Sequence, residues 1–163
     1  MTPPAQRSIC DLCDDYPDDV RIAMPVWRSY GARSVFGGQA VTVQCSEDNA
    51  LLASVLDEPG AGRVLVVDGG GSLRRALVGG KLGGKAHAHG WAGIVVHGAV
   101  RDVEELDQID VGVFALATSP MRPHKKGEGL RDVPLRFAGI EVQPGDWIYA
   151  DRNGLIAARR ALV

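Results

Sequence analysis

The chain has 163 residues, 45% of them apolar, and a formal net charge of −2. That length buries a core without disulfide staples, and we read residues 1–163 as one domain. The near-neutral charge excludes a strong bias toward nucleic acid, and no apolar run is long enough to span a bilayer.

Met1-Thr2-Pro3-Pro4-Ala5-Gln6-Arg7 has no apolar signal core, so the cytoplasm is the expected compartment. Ser8 can cap a short helix running to about Tyr16, which Pro17 ends. Cys10 and Cys13 form a C-x-x-C in that helix. No second ligand pair and no thioredoxin-like setting follow, so both read as small apolar residues. Asp11, Asp14 and Asp15 lack the glycine and distal Glu of a calcium loop and read as a solvated helix face. Residues 20–38 read as irregular. From Gln39 to Cys45, Val41, Val43 and Cys45 alternate with Thr42 and Gln44, the pattern of a half-buried strand.

Ser46-Glu47-Asp48 reads as a helix start, with the apolar stripe Leu51, Leu52, Val55 and Leu56 behind it and Pro59-Gly60 as its stop. Val64-Leu65-Val66-Val67 is continuously apolar, so a strand covered on both faces is expected. Asp68-Gly69-Gly70-Gly71 follows, and Ser72 is expected to cap a short helix. Gly79 to Gly90 reads as a helix weakened by Gly83 and Gly84. Ile94-Val95-Val96 is a second buried strand, Asp102 opens a helix containing Leu106, and Val113 to Ala117 is a third buried strand. Thr118 to Gly129 is a polar loop. From Leu130 a β-meander is expected, with turns at Ala138-Gly139 and Pro144-Gly145 and a hairpin at Asn153-Gly154. Helix-strand alternation followed by a meander implies an α/β fold.

Two segments draw attention as chemistry. One is Gly93 to Asp102, an apolar strand that ends in glycine and delivers Arg101 beside Asp102. The other runs from Asp68-Gly69-Gly70-Gly71-Ser72 to Gly79-Gly80-Lys81. Together they are expected to form one anion-and-metal pocket. The triple glycine is not a dinucleotide fingerprint, because the third glycine of that motif is missing. Gly80-Lys81-Leu82 is not a Walker loop, which needs Ser or Thr after the lysine. Gly79-Gly80-Lys81-Leu82 sits at a helix start, where unpaired N–H groups and the dipole favour a carboxylate or phosphate; a ligand-free glycine turn is the alternative.

Asp102-Val103-Glu104-Glu105 fits a capping box, and Arg101 fits a surface ion pair. Alternatively, Asp102 gives one oxygen to Mg²⁺ or Mn²⁺, and Arg101 grips a carboxylate or a developing enolate oxygen. His87 and His89 lie two apart and do not share a helix face, so neither reads as a zinc ligand. His97 either lines the pocket or is a satisfied structural residue, and the second reading is the plainer.

Phe36-Gly37-Gly38, Glu47-Asp48-Asn49, Val64 through Leu77, Gly98-Ala99-Val100-Arg101-Asp102 and Tyr149-Ala150-Asp151 resemble the RraA-like family. That family holds the regulator of ribonuclease E activity A and the 4-hydroxy-4-methyl-2-oxoglutarate aldolases. The resemblance covers about Cys10 to Ile156. It implies a layered swivelling β/β/α domain related to phosphohistidine domains, a ring-shaped homotrimer and sites at subunit boundaries. It implies that the amides of Gly79, Gly80, Lys81 and Leu82 bind substrate, that Arg101 is the substrate and catalytic arginine, and that Asp102 holds Mg²⁺ or Mn²⁺. The substrate implied is a small 2-oxo acid, cleaved by a metal-dependent aldolase that also decarboxylates oxaloacetate.

The regulator branch, which binds an RNase E-type endonuclease or an RNA helicase without catalysis, lacks the metal aspartate, so Asp102 points to catalysis. Two departures concern proton transfer. Gly80 stands where the aldolases carry an acid, and the chain ends at Val163 without their C-terminal acid. Gly80→Asp is therefore expected to be tolerated and to raise aldol cleavage. An older family label, a demethylmenaquinone methyltransferase, finds no S-adenosylmethionine-binding fingerprint here.

Overall fold

The structure, a computed structural model, describes residues 7–163. The N-terminal segment in which no signal core is expected lies largely outside them. Helix α1 (Ile9–Asp15) starts as the sequence implies, with the Ser8 hydroxyl accepting from the Cys10 N–H at 3.2 Å. Residues 20–38 are less irregular than expected. They contain the short strands β1 (Arg21–Ile22) and β2 (Arg28–Tyr30), and Phe36 already begins β3 (Phe36–Gln44).

Strand β3 is not half-buried: Ala40, Val41, Thr42 and Val43 are all buried. It lies between β11 (Trp147–Asp151), antiparallel to it, and β4 (Val64–Asp68), parallel to it. Those strands cover its edges. Its faces are covered by the helices, against which Val41 and Val43 pack, and by the hairpin of residues 135–142, against which Ala40 packs. Thr42 satisfies its hydroxyl by donating to the Val133 carbonyl at 2.7 Å. Helix α2 (Ala50–Leu56) begins three residues later than expected, with Asn49 rather than Ser46 at its cap position. Glu47 takes φ 57°, which no helical residue does, and Asp48 instead accepts from the Ala50 N–H at 3.0 Å. Ser72 caps no helix. The chain turns there and enters β5 (Ala76–Val78), then α3 (Gly80–Ala88), β6 (Gly93–Val100), α4 (Val103–Leu106) and β7 (Gly112–Thr118).

After the polar loop, β8 (Leu130–Arg131) pairs with β3 rather than opening the meander. Strands β9 (Leu135–Phe137) and β10 (Ile140–Val142) form their own hairpin, and β11 and β12 (Gly154–Ala158) form another around Arg152-Asn153. The main sheet has ten strands, ordered β1-β12-β11-β3-β4-β6-β7-β2, with β5 and β8 as side branches. Its centre, β3-β4-β6-β7, is parallel.

Alternation along these central strands divides the core in two. Val41, Val43, Leu65, Val67, Ile94, Val96 and Val113 face α2, α3 and α4. Ala40, Val64, Val66, Val95 and Phe114 face the β9–β10 hairpin and the β11–β12 end of the curled sheet. Helix α1 seals the outer side of β11–β12 through Ile9, Leu12, Tyr149 and Ile156. Phe36 packs this tightly, since a Cβ on Gly112 would lie 2.0 Å from its ring and one on Gly93 would lie 2.4 Å away. Glycine is the residue type that leaves room there. No helix among the described residues is long and apolar enough to cross a membrane.

Candidate functional site

Parallel pairing builds the site. Strand β5 runs beside β6 with Ala76 opposite Ala99 and Val78 opposite Val100, so the two strands end together. The Arg101 N–H donates to the Val78 carbonyl at 2.9 Å, which brings Arg101-Asp102 against Gly79-Gly80. Ligands in open α/β sheets gather at such carboxyl ends.

Asp102 precedes α4 but does not cap it, so the capping-box reading fails. Its backbone is left-handed, φ 55° and ψ 44°, an unusual conformation for a residue with a side chain, though one that Asp tolerates better than most. That turn aims the carboxylate at the neighbouring helix. Asp102 Oδ2 accepts from the Gly80 N–H at 3.3 Å, at the first turn of α3. A Cβ on Gly79 would come within 2.8 Å of that oxygen and 3.3 Å of the Arg101 Cγ, so the close approach requires glycine. Asp102 is exposed and has no ion-pair partner among the described residues, although Arg101 is its neighbour in the chain.

A cavity of about 210 Å³ opens at this point, lined by Gly79, Lys81, Leu82, Arg101 and Asp102 together with Asn49, Lys85 and Lys125. It is smaller than the clefts of about 300–1,000 Å³ that take drug-sized ligands, and so suits a small one. The residues singled out in the sequence thus meet, except that Gly80 adjoins the cavity through its N–H without lining it. Lys85 pairs with Asp57 at 2.9 Å. Lys81, Arg101 and Lys125 leave the cavity cationic around the single carboxylate of Asp102.

Three expectations need correction. Gly69-Gly70-Gly71 does not line this cavity. The Gly70 N–H donates to Asp68 Oδ1 at 2.8 Å, and the turn lies beside His97 instead. His97 points to the opposite face of the sheet, stacked on Phe137 at 5.2 Å and edge-on to Trp27 at 6.1 Å. Its Nδ1 is 3.7 Å from Asp68 and otherwise unpartnered, so it is structural but not fully satisfied. Finally, the space beside Gly80 is not open. A Cβ there would lie 2.2 Å from the Glu105 carboxylate, so Gly80→Asp meets an acid already in place.

Sequence reasoning missed the supporting residues. Asn49 is buried and donates through Nδ2 to the Leu77 carbonyl at 3.0 Å, holding β5 against α2. Asp48, 1% exposed, accepts from the N–H groups of Lys126 at 2.7 Å and Gly127 at 3.3 Å. Burial would raise its pKa, but these amides and that of Ala50 outweigh it and hold the carboxyl below its ordinary value. The motif Glu47-Asp48-Asn49 was visible, but its partners lie about 30 to 80 residues further along the chain.

A family model described as Aldolase/RraA matches residues 7–157. A protein of Ectopseudomonas mendocina provisionally named 4-hydroxy-4-methyl-2-oxoglutarate aldolase is 54% identical over 93% of this chain and 94% of its own length. One from Alkalilimnicola ehrlichii with the same provisional name is 52% identical over 94% and 95%. Among solved structures, the RNA-processing inhibitor RraA of Thermus thermophilus superposes with a TM-score of 0.92 at 49% identity, covering 96% of this chain and 94% of that one. A Geobacillus kaustophilus protein described as an S-adenosylmethionine:2-dimethylmenaquinone methyltransferase gives 0.94 at 40% identity, covering 96% and 97%.

Proposed function

The chain belongs to the RraA-like family, and from that premise we propose that it is a metal-dependent lyase, a 4-hydroxy-4-methyl-2-oxoglutarate aldolase with oxaloacetate decarboxylase activity. The observation that carries the reading is the meeting of Asp102, Arg101 and the first turn of α3 around one small cationic cavity.

The residues fit a divalent cation of the Mg²⁺ or Mn²⁺ kind. Asp102 offers a hard, exposed oxygen with no ion-pair partner, held in a left-handed turn that the fold imposes. Mg²⁺ takes only one or two carboxylates and completes its shell with water and substrate. When bound, such a cation polarises a keto oxygen and offsets the charge of the enolate that forms beside it.

The protein's own groups do the rest. The Lys81 and Leu82 amides belong to the first turn of α3, where no intrahelical acceptor exists, and they hold the carboxylate of the oxo acid. Arg101 is cationic and presents a planar fork of donors, so it stabilises the enolate oxygen as the C–C bond breaks. Decarboxylation of oxaloacetate needs no more than this. Aldol cleavage also needs a base at the substrate hydroxyl. The protein is read further as a cytoplasmic homotrimer with the swivelling β/β/α fold related to phosphohistidine domains.

A second reading, a non-catalytic trimer that inhibits an RNase E-type endonuclease or binds an RNA helicase, is favoured by the likeness to the Thermus thermophilus inhibitor. The two part in one assay. The lyase releases pyruvate from oxaloacetate and from 4-hydroxy-4-methyl-2-oxoglutarate with Mg²⁺ and stops with EDTA. Protein inert on both acids that still slows an added RNase E-type enzyme refutes the lyase.

A further inference from the structure

We infer that Lys125 is the residue by which this site selects substrates carrying a second, distal carboxylate, an inference that rests on the lyase reading above. Lys125 lines the cavity from a different segment than the groups assigned to the oxo-acid end, on the loop between β7 and β8. The loop is exposed, yet its backbone is fixed on both sides of this residue. The His124 N–H donates to the Glu47 carbonyl at 2.8 Å, and the His124 carbonyl accepts from Asn49 at 3.1 Å. On the other side, buried Asp48 takes the N–H groups of Lys126 and Gly127. A carboxylate that is 1% exposed is thus given over to holding the backbone that follows Lys125.

That lysine has no ion-pair partner among the described residues, whereas Lys85, on the same cavity, is engaged by Asp57. Lys81, Arg101 and Lys125 leave three positive charges against the one negative charge of Asp102, before any cation is bound. A bound divalent cation adds to that field, and a dicarboxylic oxo acid offsets more of it than a monocarboxylic one does. Arg101 and the α3 amides account for the oxo-acid end. The remaining charge falls to a long, free cation on a pinned stem. Lys81 is the competing candidate, but its stem is the helix turn that already serves through its amide.

Binding without turnover tests this. Calorimetry at saturating Mg²⁺ compares 2-oxoglutarate with 2-oxopentanoate, which keeps the oxo-acid end and lacks the distal carboxylate. Wild type is expected to bind 2-oxoglutarate about tenfold more tightly or better, the range of one charge-assisted contact. Lys125→Met abolishes that preference by weakening 2-oxoglutarate alone. Lys126→Met makes the same charge change one residue away, outside the cavity lining, and keeps the preference. No preference in wild type, a preference that survives Lys125→Met, its loss in Lys81→Met instead, or equal loss in Lys126→Met overturns the assignment. Wild type that binds both acids alike overturns Lys125 and leaves the lyase reading standing. Wild type that binds neither takes down both.

Discussion

Gly80→Asp restores the acid that the aldolase pattern carries, and the structure gives its cost. The new Cβ would lie 2.2 Å from the Glu105 Cδ and Oε2 and 2.7 Å from Oε1. Glu105 is exposed and can swing aside, and the three atoms nearest the new Cβ all belong to its flexible carboxyl end. Its charge remains, and so does that of Asp102, whose Oδ2 already takes the Gly80 N–H. Two like charges about 4 Å apart repel by about 1 kcal/mol in water and about 4 at a protein surface. The helix dipole returns about 0.3–1 kcal/mol and the loss of glycine about as much. The variant should therefore fold but lose about 1–2 kcal/mol, a few degrees in Tm for a domain of this size. Urea unfolding of wild type, Gly80→Asp, Glu105→Gln and the double variant measures the coupling. We expect the double variant to recover at least about 1 kcal/mol over additivity, and aldol cleavage to rise about 10²-fold only in that background. A single variant as stable as wild type, or additive costs within about 0.3 kcal/mol, refutes the crowding of carboxylates at the start of α3.

Three further outcomes follow from the same geometry. Asp102→Asn keeps an acceptor for the Gly80 N–H and a side chain that tolerates φ 55°, so it should unfold within about 0.5 kcal/mol of wild type, while Asp102→Ala costs about 1 kcal/mol more. Both should lose Mn²⁺ binding by electron paramagnetic resonance, and retention of the ion removes Asp102 as its ligand. Asp48 is held below its ordinary value, so its contribution to stability is complete above the unfolded value of about 3.9 and disappears as pH falls through the lower folded one. Amide protection of Lys126 and Gly127 should fall in that acid window, and unchanged protection contradicts the pinning of the loop. Gly112→Ala drives a methyl to 2.0 Å from the Phe36 ring and should cost about 1–3 kcal/mol, which Phe36→Leu in the same chain partly relieves in chemical denaturation.

What the sequence made legible was local. The continuous apolar runs Val64 to Val67 and Ile94 to Val96 are buried on both faces as parallel strands must be. Gly79 starts a helix as read, although β5 rather than the expected short helix leads into it. The adjacency of Arg101 and Asp102 is a matter of chain order, but their meeting with Gly79 depends on β5 lying parallel to β6. What stayed hidden was set by distant pairing. Strand β3 looked half-buried because nothing local shows that the β9–β10 hairpin returns about a hundred residues later to cover its second face. Ser46 and Ser72 each look like a helix cap, but Glu47 is held in a positive-φ turn and Ser72 donates to its carboxylate at 2.7 Å. Asp102 and Glu105 have capping-box spacing, yet both carboxylates turn to α3, because tertiary contact at its first turn outweighs a four-residue helix's own need.

The central claim is that Asp102, Arg101 and the first turn of α3 are complementary to a pyruvate enolate. Oxalate is a planar, stable mimic of that species, and a site built for the enolate binds it far more tightly than pyruvate. Titrating wild type with each at saturating Mg²⁺ should give oxalate an advantage of about 10²-fold or more, lost with EDTA and in Asp102→Ala. Oxalate binding no tighter than pyruvate, or equally tight in Asp102→Ala, contradicts the account.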